Sequence, residues 1–178
     1  PKYKGKVILE GEGVSLKSPE ACIRKGIAFL PSDRKQEGLV LMHGVKSNIM
    51  TPYYQTGTNS WIVNHRRERE IGQKWVERLR IKTPTLETST DSLSGGNQQK
   101  VVFAKWLEID PKIVILNDPT RGIDVGAKAE IYSFLNELTE KGVSVLMITS
   151  EMPELIAMSD RVLVIHEGKQ SALLSKEE

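Results

Sequence analysis

The chain has 178 residues, 39% hydrophobic and 27% charged, the make-up of one ordinary globular domain able to bury a core. A formal net charge of +2 is too near balance to suit a nucleic-acid or anionic-membrane binder, and a lone cysteine, Cys22, excludes an internal disulfide and points to a reducing setting. No apolar run approaches the ~20 residues of a membrane helix and the sequence opens without a charged-then-apolar leader, so membrane association is expected only through a partner.

In chain order, residues 6–9 and 14–16 read as short strands around Glu10, Gly11, Glu12 and Gly13, a hairpin with glycine turn chemistry. Ser18 as cap, with Pro19 in the first position, starts a helix that Gly26 ends. Residues 27–30 form a buried strand stopped by Pro31, and Ser32, Asp33 and Arg34 follow as a polar loop. From residue 45 to residue 90 the pattern turns helical. Asn64 caps a helix whose Ile71, Trp75, Val76 and Leu79 share one face, while Arg66, Arg67, Glu68, Arg69 and Glu70 decorate its other sides as a solvated, salt-bridged surface. Trp61, Trp75 and Trp106 read as packing residues. Pro52 and the loop over 55–60 offer a contact surface, and His43, His65 and His166 lack any spacing that would ligate a metal.

Residues 91–128 carry the most information. Ser94 has the position and chemistry of an N-cap, and Gly95, Gly96 and Asn97 open an amphipathic helix that runs past Leu107 and stops before Pro111. Adjacent glycines leave the backbone uncovered where uncapped N–H groups meet the positive end of a helix dipole, a site suited to an anion and above all to a phosphate. Residues 113–116 are an apolar run of the kind buried in a parallel sheet. They deliver Asn117 and Asp118 to its carboxyl end, where open α/β sheets bind ligands. A helix over 126–141 presents Ile131, Phe134, Leu135 and Leu138 on one face and stops at Gly142. Residues 143–148 make a further buried strand, followed by Thr149, Ser150 and Glu151. A short helix over 152–158, a strand over 161–165 and a turn at Glu167 and Gly168 into residues 170–174 complete the chain.

LSGGNQQK at 93–100, the strand after it and DPTRGIDVGAK at 118–128, in this order and spacing, closely resemble the ATP-binding-cassette ATPases, specifically the second cassette of bacterial monosaccharide importers. PSDRKQEGLV at 31–40 and ITSEMPELIAMSDRVLVIHEGK at 148–169 extend the resemblance over most of the chain, with 51–90 generic. It implies an α/β fold, a P-loop NTPase (ABC ATPase) fragment with a mostly parallel sheet, an antiparallel hairpin and an inserted helical subdomain. Residues 1–44 and 91–178 would form the α/β core and 45–90 the helical subdomain that faces a membrane permease. The resemblance also implies ATP and Mg2+ as cofactors, with ATP held between two cassettes paired head to tail. Ser94, Gly95, Gly96 and Asn97 would contact the γ-phosphate of ATP held by the other cassette, and Asp124 would bridge the two. Implied partners are that second nucleotide-binding domain, permease subunits and, indirectly, a periplasmic or extracellular sugar-binding protein, with no nucleic acid. The implied location is peripheral, on the cytoplasmic face of the cell membrane.

Four positions depart from the family pattern. Asp-Glu is usual where Asn117 and Asp118 stand, a glutamine or the glutamate of PEDR where Ser32 stands, and a histidine where Ser150 stands. Asn117 gives Mg2+ no charge compensation. Asp118, at the catalytic glutamate position, is one methylene short, and misplacing a catalytic group by ~1 Å can cost ~100-fold in rate. If Asp118 is instead the magnesium aspartate, Pro119 falls where the glutamate belongs. Serine at 32 cannot reach a metal, and serine at 150 keeps a hydrogen bond without the ring. A degenerate site in cis beside an intact signature acting in trans is the expectation.

No G-x-x-x-x-G-K-[ST] loop stands between Pro1 and Ile27, so the resemblance implies a piece that begins after it and is inactive alone. Loss of the strand leading into that loop is expected to leave 143–148 and 161–165 with unpaired edges. Two other readings remain: a non-catalytic module docking on a permease, and a soluble cassette ATPase acting on DNA or ribosomes, although the coiled-coil heptads of the DNA-repair members are missing.

Overall fold

In the computed structural model, which describes residues 5–56 and 63–176, β1 (Val7–Leu9) and β2 (Glu12–Val14) pair antiparallel. Glu10 and Gly11 join them with φ of 51° and 82°, the left-handed pair that a tight two-residue turn requires. The turn is thus two residues long rather than four, and Glu12 and Gly13 belong to the second strand. Ser18 accepts a hydrogen bond from the Ala21 N–H at 3.2 Å and Pro19 opens α1 (Pro19–Arg24). Gly26, at φ 76°, reverses the chain into β3 (Ile27–Leu30).

β3, β4 (Ile113–Asn117) and β5 (Ser144–Ile148) form a parallel sheet in that order, with Leu30 opposite Leu116, Leu116 opposite Met147 and Asn117 opposite Ile148. Parallel neighbours need long crossovers. The connection from β3 to β4 contains α2 (Val45–Thr56), α3 (His65–Arg78) and α4 (Gly95–Leu107); that from β4 to β5 is α5 (Val125–Glu140). One buried cluster runs from Val45 and Ile49 of α2 and Ile71 and Trp75 of α3, through Val101, Val102 and Phe103 of α4, to Leu30, Leu116 and Phe134. After β5 come α6 (Met152–Met158) and the hairpin of β6 (Arg161–His166) with β7 (Lys169–Ser175), turning at Glu167 and Gly168 with φ of 48° and 73°.

Several expectations change. β5 is not a buried strand: Leu146 is 56% and Ile148 52% exposed. The strand expected over 161–165 is present as β6 and exposes Leu163 and Ile165. In β5 the exposure alternates along the strand, and Phe29 of β3, in register with Leu146 through Ile115, is also exposed, so one face of the sheet is uncovered among the described residues. Separately, among those residues β5 bonds only to β4 and β6 only to β7, so the edge expected to be open is open. Pro52 is buried within α2 rather than on a contact surface; the 55–60 loop begins as the end of that helix and otherwise lies, with Trp61, outside the described residues. Glu68 is buried, not solvated, because α2 brings Tyr54 onto it: the phenol donates to its Oε1 at 2.8 Å, and His65 Nδ1 lies 2.9 Å from its Oε2. Trp75 packs as expected, with its indole N–H donating to Glu108, and Trp106 is partly buried against the core. No helix among the described residues is long and apolar enough to cross a membrane.

Candidate functional site

The start of α4 is built by short-range bonds. Ser94, extended and exposed, caps it by accepting the Asn97 N–H at 3.4 Å, and its hydroxyl also accepts from the Asn97 side-chain amide at 2.9 Å. Asn97 Oδ1 in turn accepts the Lys82 N–H at 2.8 Å, which ties the chain after α3 to the helix start. Gly95 and Gly96 have a structural reason to be glycine. A Cβ at Gly95 would stand 2.7 Å from Arg34 Nη2 and 3.0 Å from the Gly122 carbonyl oxygen; one at Gly96 would stand 2.7 Å from Ala127 Cβ. Gly96 is buried, whereas Ser94 is exposed and Gly95 half-buried, so the outward part of the expected phosphate contact is the Ser94 hydroxyl with the first helical amides. Gln98, Gln99 and Lys100 are buried. Gln98 donates to the Thr90 carbonyl at 2.9 Å, and Lys100 donates to the Arg80 carbonyl at 3.2 Å and pairs with Glu130.

The segment after β4 packs against those glycines. Asp118 takes a left-handed φ of 45°; its N–H donates to the Ile148 carbonyl at 2.8 Å and its carbonyl accepts from Arg121 at 3.1 Å. Asp124 caps α5 by accepting the Ala127 N–H at 2.9 Å, and that bond, first among several, holds its carboxyl below the usual carboxylate range. On the other side Thr120, buried, donates to buried Glu154 at 3.1 Å. Lys128 grips both oxygens of Glu151 at 2.9 and 2.7 Å, and that hydrogen-bonded pairing raises its pKa.

Ser32, Asn117, Asp118 and Ser150 all emerge at the carboxyl edge of the parallel sheet, since β3, β4 and β5 end in register there. With strands about 4.8 Å apart, the edge from β3 to β5 spans about 10 Å. Asp118 stands there beside neutral Ser32, Asn117 and Ser150, while Asp33 and Glu151, one residue further on, are engaged by the Lys35 and Gln36 N–H groups and by Lys128. No group of three or more His, Cys, Asp or Glu able to hold a metal comes together among the described residues. Mg2+ demands near-octahedral oxygen ligation and is usually anchored by carboxylate, and of the four expected positions only Asp118 supplies one.

The sequence profile described as ABC transporter matches residues 1–121. The chain belongs to the ABC transporter family. The ribose import ATP-binding protein RbsA of Bacillus subtilis (strain 168) is 47% identical over 167 residues, covering 94% of this chain and 34% of that protein. The xylose import ATP-binding protein XylG of Thermoanaerobacter pseudethanolicus is 50% identical over 168 residues, covering 94% of this chain and 33% of that protein. The chain thus spans about a third of the length of these relatives. Among solved structures, the dimeric post-hydrolysis state of the ATP-binding cassette MJ0796 bound to ADP and Pi matches with a TM-score of 0.81 at 20% identity, over 97% of this chain and 74% of that one. That likeness establishes an ABC ATPase fold, with its parallel sheet and added antiparallel hairpins.

Within this ABC chain, sequence reading missed the residues that join the segments. Arg34 donates from Nη1 to the Arg121 carbonyl at 2.8 Å, from Nη2 to the Gly122 carbonyl at 3.2 Å and from Nε to Gln98 Oε1 at 3.4 Å. Its partners lie 64 to 88 residues away, beyond any local pattern. Glu154 and Thr120 are likewise invisible as a pair. One signal was present: Gln98, Gln99 and Lys100 form a polar run inside an otherwise apolar helix, and buried polar side chains require partners.

Proposed function

We propose that this chain is part of the ATP-binding subunit that energises import of a monosaccharide, and that it supplies its signature in trans to ATP held by a partner cassette. The observation that carries the reading is an asymmetry within one site. The helix start at Ser94 is capped, outward-facing and backed by the loop ending in Asp124, while three of the four departing positions at the sheet edge, Ser32, Asn117 and Ser150, carry neutral side chains. Ribose and xylose import in the names of its relatives supports the substrate class. In this reading residues 45–90 form the helical subdomain against a permease, residues 1–44 and 91–178 the α/β core, and the assembly sits peripherally on the cytoplasmic face of the membrane. A sugar-binding protein is an indirect partner and nucleic acid is not one. Ser94 and the amides of Gly95 and Gly96 face the γ-phosphate, Asn97 holds Ser94 in place, and Asp124 meets the partner cassette.

The test uses the full-length protein assembled with its permease. Ser94→Arg should remove most ATPase activity and transport, because it puts bulk on the helix start that must approach phosphate. Asn117→Ala should reduce either by less than about threefold, since a neutral residue there carries no metal charge. Ser94 is a cleaner probe than Gly95, where any side chain also strikes Arg34. Equal losses from both variants would show that this half's own sheet edge is active. No hydrolysis by the wild-type complex would leave a docking module instead.

A further inference from the structure

Arg34 reaches three segments of the site at once. It leaves the carboxyl edge of the sheet two residues after Ser32, lies half-buried, and spends its donors on two backbone carbonyls of the loop after β4 and on Gln98 of α4. Among the described residues it forms no ion pair, and desolvation lowers its pKa, the cost of placing a guanidinium among neutral acceptors. Its position is fixed from both sides. Gly95 is close enough that a Cβ there would overlap Nη2, and Gln98, itself 2% exposed, is anchored to the Thr90 carbonyl.

We propose that Arg34 is the positioning residue that locks the signature turn to the loop over 118–124, so that Ser94 and Asp124 are presented to a partner cassette as one rigid surface. The planar fork is essential, because two carbonyls and a side-chain amide oxygen in three directions match a guanidinium and not the point charge of an ammonium. The inference rests on the trans-acting reading of Ser94 for its effect on turnover, but not for its effect on the geometry.

The experiment compares wild type, Arg34→Ala, Arg34→Lys and Ser94→Arg in the full-length protein with its permease, by two readouts. Amide hydrogen exchange without nucleotide should quicken about tenfold in both 94–98 and 119–124 in Arg34→Ala, with α5 and β4 unchanged, and Arg34→Lys should restore less than half of that protection. Turnover should fall about 10- to 100-fold in kcat with the KM for ATP changed less than about twofold, since Arg34 touches no reacting group and acts by misplacing those that do. Unchanged exchange in either segment, or faster exchange throughout the domain, overturns the proposal. Full protection in Arg34→Lys overturns the need for a fork. Faster local exchange with normal kcat overturns the functional half if Ser94→Arg is inactive. If Ser94→Arg is active too, the trans-acting reading has failed and the lock itself stands.

Discussion

A methyl group added at residue 96 has no free space, because its ideal position lies 2.7 Å from Ala127 Cβ at the first turn of α5. Overpacking a tight contact of this kind costs about 1–3 kcal/mol. Gly96→Ala is therefore expected to lower the denaturant midpoint of the full-length protein, and Ala127→Gly in the same chain should recover most of the loss by vacating the space. The helix cost of the new glycine, roughly 1 kcal/mol, is offset by the similar gain from replacing the helical Gly96 with alanine. Strictly additive losses in the double variant would show that the contact is not the cause. Residue chemistry of this sort is half legible in a sequence. Ser94 as cap and Gly26 as terminator act on neighbours within a few positions, so local pattern suffices. Gly96 meets a residue of the next crossover helix, and Arg34 meets carbonyls 87 and 88 positions later, and only the tertiary arrangement supplies those. The glycines of the signature stood out, but as an opening for phosphate; that they also admit Arg34 and Ala127 was hidden.

The helix pair α2 and α3 shows what an element adds to its residues. Period and cap identified the helix that Asn64 opens because its apolar face from Ile71 to Leu79 repeats, yet the same reading put Glu68 in solvent, since the approach of α2 has no mark in the α3 sequence. Once packed, Tyr54 and Glu68 shift in opposite senses. Burial, and then the hydrogen bond to Glu68, pushes the Tyr54 phenol up to about 12. Burial also pushes the Glu68 carboxyl up, but the bonds from His65 and Tyr54 outweigh it and hold it below its ordinary range. A neutral phenol with a folded pKa above its unfolded value of about 10 contributes stability below pH 10 and loses it as pH climbs through about 12. Glu68 acts at the other end, where its contribution is present above the ordinary carboxylate range and is lost as acid protonates the folded form. Tyr54→Phe should accordingly flatten the fall in stability between pH 10 and pH 12 relative to wild type, measured as denaturation midpoints across that window. An unchanged slope would mean that the phenol titrates as freely in the folded protein as in the unfolded one.

At the scale of the whole molecule, a core continuous from α2 to α5 coexists with a sheet that is unfinished on one side. β5 and β6 each present an edge bonded to nothing among the described residues, and each displays apolar side chains beside it, Leu146 and Ile148 on one and Leu163 and Ile165 on the other. Exposed edges of that composition invite pairing with another chain. The magnitudes point to a weak association. Four partly exposed side chains, worth about 1.5–3 kcal/mol each if fully buried, and a few backbone hydrogen bonds at about 0.5–1.5 kcal/mol each stand against roughly 4–15 kcal/mol for lost rigid-body freedom. Those opposing terms nearly cancel, the regime of weak, concentration-dependent association, and open strand edges aggregate at micromolar to millimolar concentrations. The 178-residue polypeptide is therefore expected to show a mass that rises with concentration in sedimentation velocity between ~10 μM and ~1 mM. Leu146→Lys with Leu163→Lys should hold it monomeric, because both positions are more than half exposed and tolerate charge, while lysine on a strand edge opposes pairing. Hydrogen exchange locates the contact: residues 144–148 should gain protection as the mass rises in the wild type and stay unprotected in the double variant. A wild-type chain that remains monomeric across the whole range would show that these edges are closed in solution by the chain itself.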